Sequence, residues 1–203
     1  MKQVLACVAV ASVLSACGGG GSSAGSVVNP PTTVPFAKYV GEWKDVCQFH
    51  HRETITVATL TASATTATLS DRIDYFDNED CSGALVATGV FSKPIATLQY
   101  VATENNATVH LQSGQSLTGA VDRGTATASD ATVSFSGGGV SSSVVNGKTV
   151  WHIAYNGGGT DIQIINVLGA NPGGLFLSSG QLYIVTAEGG STNTFDASAP
   201  LSR

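Results

Sequence analysis

His50-His51, just after Cys47, is the densest group of side chains able to bind a metal ion. Neighbouring residues of a strand point to opposite faces, so both imidazoles reach one ion only from an irregular loop. A catalytic zinc needs a third protein ligand, and no H-E-x-x-H spacing occurs. The pair therefore reads as exposed or strand-end histidines, and no metal is assigned. Asp77, Glu79 and Asp80 place three carboxylates in one short segment. A calcium loop wants alternating oxygen ligands, a glycine at the sixth position and a distant bidentate glutamate. Cys81-Ser82-Gly83 breaks that register, which leaves a solvated turn. Gly114-Gln115-Ser116-Leu117-Thr118 misses the last glycine of a nucleophile elbow by one position. A serine nucleophile needs a base held by a third group, and His110 and His152 lie on polar faces of their strands. Gly137 to Gly139 and Gly157 to Gly159 have no following helix to make a phosphate loop, and read as bulges or turns. No catalytic residue or cofactor emerges, and the expectation is a protein that is not an enzyme.

The aromatic residues Trp43, Phe91, Phe135, Trp151 and Tyr155 are the remaining resource. A barrel of about eight strands can hold one small ligand, so these five could line a cavity. They could equally fill the interior.

The elements that must position these side chains are strands, because period-two alternation recurs and helical period does not. Residues 54–57 alternate, and Ala67, Leu69, Ile73 and Tyr75 share one face against Thr68, Ser70, Arg72 and Asp74. Residues 84–91 are apolar enough to be buried on both sides. Val109 and Leu111 alternate with polar neighbours, residues 117–121 can return, and Ala131, Val133 and Phe135 repeat the pattern. Asn146-Gly147 between β-branched runs is the best short hairpin signal. Trp151, Ile153 and Tyr155 then share a face, residues 162–168 read as a central strand, and residues 175–177 can pair with 182–185. Short strands separated by turn residues predict an all-β fold, a single antiparallel up-and-down barrel or a sandwich of roughly 8–10 strands.

The chain has 9 basic and 14 acidic side chains, a formal charge of −5, and only 11% charged residues. No basic stripe interleaved with aromatics exists, so nucleic-acid binding has no electrostatic basis. No polybasic patch is present to assist membrane attachment.

Lys2 followed by a short apolar run over residues 4–14 has the form of an export signal, too short to span a bilayer as a helix. Leu14-Ser15-Ala16-Cys17 resembles the lipobox of bacterial lipoproteins. That resemblance implies cleavage after residue 16, diacylglyceryl and palmitate-type acylation at Cys17, and a new N-terminus there. Gly18 in place of an aspartate implies sorting to an outer membrane. Residues 18–35, rich in Gly, Ser and Pro, read as a tether with a typical reach of about 25 Å. A β domain over residues 36–187 and a polar tail over 188–203 complete the division. Cys7 leaves with the signal and Cys17 carries lipid, so Cys47 and Cys81 are an even pair in an oxidising compartment and default to a disulfide.

Tyr39-x-Gly41-x-Trp43 resembles the first-strand signature of the lipocalin and calycin superfamily. The resemblance implies a barrel whose tryptophan packs across the closed end. Trp43 and Cys47 with Asp80-Cys81-Ser82-Gly83 also resemble small lipid-anchored β domains whose disulfide ties the first strand to a hairpin turn. The functional expectation is an outer-membrane lipoprotein whose β domain contacts another envelope component, a protein or a glycan. The alternative is a lipocalin-like carrier of a small apolar ligand.

Overall fold

Thirteen strands and two single 3₁₀ turns make up the computed structural model, which describes residues 34–60, 64–163 and 168–203. After a 3₁₀ turn, Ala37–Tyr39, come β1 (Gly41–Lys44), β2 (His51–Thr59), β3 (Thr66–Phe76), β4 (Leu85–Phe91) and β5 (Ala96–His110). They are followed by β6 (Ser116–Ala128), β7 (Val133–Ser136), β8 (Val140–Val145), β9 (Lys148–Tyr155) and β10 (Gly158–Ile162). The chain ends with β11 (Ala170–Ser178), β12 (Gln181–Ala187), a 3₁₀ turn at Glu188–Gly190, and β13 (Thr194–Ala197). No α-helix occurs among the described residues, and the all-β expectation holds.

The main sheet is partly ring-closed. β5 pairs with β6, β6 with β11, β11 with β12, β12 with β13, and β13 returns to β5 as the parallel pair. β1, β2 and β3 extend this ring from the start of β5. The last residues then bridge β12 back to β1: Leu201 pairs with Leu182, and Ser202 with Lys44. Residues 188–203, expected as a polar tail, are therefore strand-forming residues that help close the sheet. β3 splits at its middle, its first half pairing β5 and its second half pairing β4, which in turn pairs β7. β8, β9 and β10 form a separate three-stranded sheet.

Three apolar clusters result. Phe36, Tyr39, Trp43, Ile55, Val57, Leu69, Leu98, Leu175, Leu182 and Leu201 fill the space enclosed by β1–β3, β5, β6, β11 and β12. Val109, Val121, Phe176, Tyr183, Val185 and Phe195 fill the second space. β11 and β12 are the shared wall: Leu175 and Leu182 face the first cluster while Phe176 and Tyr183 face the second. Burial on both faces is the physical reason for their continuous apolar runs. β5 changes which cluster it serves, with Leu98 in the first and Ala107 and Val109 in the second. Register shifts at Tyr100/Ala102 and Glu104/Ala107 lie between them, and bulges re-aim side chains in this way. The third cluster, Ile73, Tyr75, Ala87, Phe135 and Ile153 with Phe91 and Trp151, joins the β3–β4–β7 flange to the three-stranded sheet. Gly89 is required there, because a Cβ would sit 2.4 Å from the Phe135 ring laid over it.

Two sequence expectations are corrected. Residues 84–91 are not buried on both sides: Leu85 is 54% exposed and Val90 50%. Ile162 ends an edge strand of the small sheet instead of opening a central one, and 164–167 lie outside the described residues.

Candidate functional site

The β1–β2 connection folds back on the β3–β4 turn and is stapled to it by the Cys47–Cys81 disulfide, with Cα atoms 5.7 Å apart. Backbone bonds complete the dock: His50 N–H donates to Glu79 O at 3.2 Å, and Phe76 N–H to His50 O at 2.7 Å. Phe49 and His50 both take positive φ, as does Cys81, so the connection is an irregular loop at the histidines. The disulfide expected from the cysteine count is thus present. Closing a loop of 34 residues contributes about 4 kcal/mol in the chain-entropy account.

Beside the staple, the inner face of β1–β3 changes character. Trp43, Ile55 and Leu69 belong to the first cluster, Ile73 and Tyr75 to the third. Between them the same face holds Asp45, Glu53 and Asp71, set by the register that pairs Trp43 with Ile55, Ile55 with Asp71 and Glu53 with Ile73. Asp45 is buried, and its oxygens accept from Glu53 N–H at 2.8 Å and Gln48 Nε2 at 3.1 Å. Asp71 Oδ1 is buried with no hydrogen-bond partner among the described residues. Burial, followed by the charges of Glu53 and Asp45, pushes the Asp71 carboxyl up to about 7. Burial also raises Glu53, with Asp45 adding to it, and raises Asp45 against the opposing pull of Glu53 N–H, His51 and Arg52. Tyr75 is pushed up to about 12 by burial, Glu53 and Tyr155. The arrangement can hold and release a proton across the neutral range.

The two histidines diverge. His50 is buried, stacks on Tyr155 with ring centroids 3.8 Å apart, and donates from Nδ1 to Phe76 O at 3.1 Å. His51 stacks on Tyr75 at 5.4 Å. No group of three or more His, Cys, Asp or Glu able to hold a metal occurs among the described residues. The turn carboxylates are used locally. Asp77 accepts from Asn156 N–H at 2.7 Å, and Asp80 accepts from Ser82 N–H and Oγ, which hold its carboxyl below the usual range.

The five aromatic residues divide among three places. Trp43 packs in the first cluster, and Phe91, Phe135 and Trp151 in the third, while Tyr155 lies against His50. Phe135 meets Tyr75 at 6.1 Å and Trp151 at 5.7 Å, so these rings fill space against one another. A hollow of about 180 Å³ lies instead at the rim, bounded by Leu111, Gln112, Tyr183 and Pro200. That is below the roughly 300 Å³ at which small-molecule pockets begin.

Two groups of residues around the Tyr39-x-Gly41-x-Trp43 segment had no sequence reading. Gly41 has φ +134°, and Trp43 Nε1 donates to Tyr39 O at 2.7 Å. Arg203 lies over the Trp43 ring, its guanidinium carbon 4.5 Å from the centroid, and donates to Val40 O at 3.1 Å. Tyr39 OH donates to Asp122 Oδ2 at 2.9 Å, and Lys38 Nζ stands 2.8 Å from the same oxygen. Thr103 Oγ1 donates to Asp122 Oδ1, and Tyr100 OH bonds Thr103. Burial and the Asp122 charge push the Tyr39 phenol well above its ordinary range. Cys17 lies outside the described residues.

No family model, curated protein or solved structure matches the chain.

Proposed function

We propose that this chain is an outer-membrane lipoprotein, anchored through Cys17, whose β domain works by its outer surface as an interaction module for another envelope component. The observation that supports this reading is that side chains fill the space enclosed by β1–β3, β5, β6, β11 and β12. Phe36, Tyr39, Trp43, Leu98, Leu175 and Leu182 are essentially without solvent exposure and touch one another where a carrier would keep its ligand. A lipocalin-like carrier of a small apolar molecule is the alternative, and the packed interior counts against it. Tyr39-x-Gly41-x-Trp43, with its indole packed in the first cluster and bonded to Tyr39 O, supports kinship in fold and not a ligand cavity.

Photo-crosslinking residues placed at exposed positions of the small sheet, Ser141 or Thr149, test the surface reading in intact cells. A discrete cross-linked envelope protein or glycan is expected. Absence of any cross-link from several such positions overturns the proposal. Loss of metabolic fatty-acid label in Cys17→Ala tests the anchor separately.

A further inference from the structure

We propose that Ser143, His152 and Asp161, side by side on the outer face of the three-stranded sheet, form a nucleophilic site that hydrolyses exposed ester groups. Ser143 Oγ lies 2.8 Å from His152 Nε2, and His152 Nδ1 lies 2.5 Å from Asp161 Oδ1. That order is the one a serine nucleophile needs. With Nδ1–H donated to the carboxylate, the Nε2 lone pair faces the serine hydroxyl and can take its proton. His110 shows the contrast. Its Nδ1 meets Ser116 Oγ at 2.8 Å, while Glu188 stands 3.6 Å from Nε2, beyond hydrogen-bond distance.

The three side chains meet because of two tight turns. Asn146-Gly147, both at positive φ, closes the β8–β9 hairpin, and Asn156-Gly157 closes β9–β10. Two-residue turns of this kind leave little freedom in register. Ala154 N–H donates to Gly139 O at 2.8 Å, which marks the odd-numbered positions of β8 as those that bond to β9. By alternation the β9 groups that bond β10 belong to residues 151, 153 and 155, so His152 and Asp161 form a non-hydrogen-bonded pair. Side chains of such pairs stand closest. Ser143 is the diagonal neighbour of His152, within reach of its ring. The opposite face of the same strands holds Trp151, Ile153 and Ile162 in the third cluster, so the platform is fixed from behind.

An oxyanion donor comes from the edge. Residues 140, 142 and 144 of β8 point away from β9, and β8 has no other strand neighbour among the described residues. The N–H groups of Ser142 and Val144, on either side of the nucleophile, are thus open, and since they stand about 7 Å apart along the strand, one of them serves as the backbone donor to a tetrahedral intermediate. The site is shallow: Asp161 is 70% exposed at its side chain and His152 39%. It therefore suits an ester projecting from a larger molecule and not an enclosed ligand.

In the reaction, Ser143 Oγ bonds to the ester carbonyl carbon as its proton passes to His152 Nε2. The carbon–oxygen bond to the leaving alcohol breaks, and that alkoxide takes the proton from Nε2. Water then attacks the acyl-serine by the same proton route, which releases the carboxylic acid and restores Ser143. Asp161 is a positioning residue that holds the imidazole.

The test treats the detergent-solubilised full-length protein with a fluorophosphonate probe, whose fluoride the serine displaces, and maps the adduct by mass spectrometry. A single adduct at Ser143 is expected. It should be absent in Ser143→Ala and form about 10²–10⁴-fold more slowly in His152→Ala, the usual worth of a general base. Asp161→Asn should slow labelling, and Asp161→Glu should restore most of the rate, which a merely structural contact would not require. All three side chains are surface groups, so melting temperatures of the variants should match the parent and certify folding. No adduct at Ser143, a rate unchanged in His152→Ala, or equal labelling of Ser116 would overturn the proposal.

Discussion

Replacing Asp71 with asparagine should remove a large part of the pH dependence of this protein's stability, because Asp71 binds its proton far more tightly folded than unfolded. An unfolded aspartate titrates near 3.9 and this one near 7 when folded. The sign follows from linkage: the folded state holds the extra proton, so stability from this group is greatest below about pH 4. It is lost as pH rises from about 4 to about 7 and is level above that. Between pH 5 and pH 8 the two values give a loss of about 2.5 kcal/mol. Glu53 and Asp45 are raised as well and act in the same direction. With a urea slope of about 1–3 kcal/mol/M, the wild-type midpoint should fall by about 1 M or more from pH 5 to pH 8. The amide of Asp71→Asn carries no charge at either pH and relieves the repulsion on Glu53. The variant should therefore lose much less and be the more stable protein at pH 8. The assay is urea unfolding of the oxidised protein, followed by tryptophan fluorescence at both pH values. A wild-type midpoint that stays level or rises with pH, or an Asp71→Asn slope equal to the wild type's, would refute the reasoning.

Four further outcomes are expected. Replacing Cys47 and Cys81 with serine should cost about 2–4 kcal/mol and lower the melting temperature by roughly 10 °C, read by calorimetry against the oxidised parent. Gly89→Ala forces a methyl into the Phe135 ring and should destabilise by about 1–3 kcal/mol, with Phe135→Ala in the same chain relieving the clash but opening a cavity. Tyr39→Phe removes one donor to the buried Asp122 and should cost about 1–2 kcal/mol, whereas Asp122→Ala takes the carboxylate from Lys38, Tyr39 and Thr103 at once, leaving Tyr39 its bond to Leu175 O and Thr103 its bond to Tyr100, and should cost more in the same urea titration. Arg203→Ala exposes the Trp43 indole, so its fluorescence should shift to longer wavelength while stability falls by about 1 kcal/mol.

Short-range signals were legible. Asn146-Gly147 made its hairpin because few other residues tolerate two positive φ angles in a row. Residues 175–177 pair with 182–185 as their apolar runs suggested, although burial on both faces joins two clusters there. The first part of β5 escaped notice because two bulges break the alternation a reader relies on. Arg203 was unreadable as a partner of Trp43, since a cation in a polar terminal segment gives no local sign of a contact with the other end of the domain. Asp71 did leave a sign. It falls in step with Leu69, Ile73 and Tyr75, and a charge on an otherwise apolar face is what a buried titrating group looks like in sequence. The Ser143–His152–Asp161 array had no motif to announce it, because its members come from three strands and meet only once the register is set.

The claim that the β domain works by its outer surface rests on a filled interior, and native mass spectrometry of the protein isolated from the cells that make it tests that most directly. With the proposed lipid anchor at Cys17, the expected mass is that of the processed chain plus its acyl groups and nothing more, with no gain when membrane lipid extracts are added. A further apolar molecule that stays bound to the folded domain and is lost on unfolding would contradict the account.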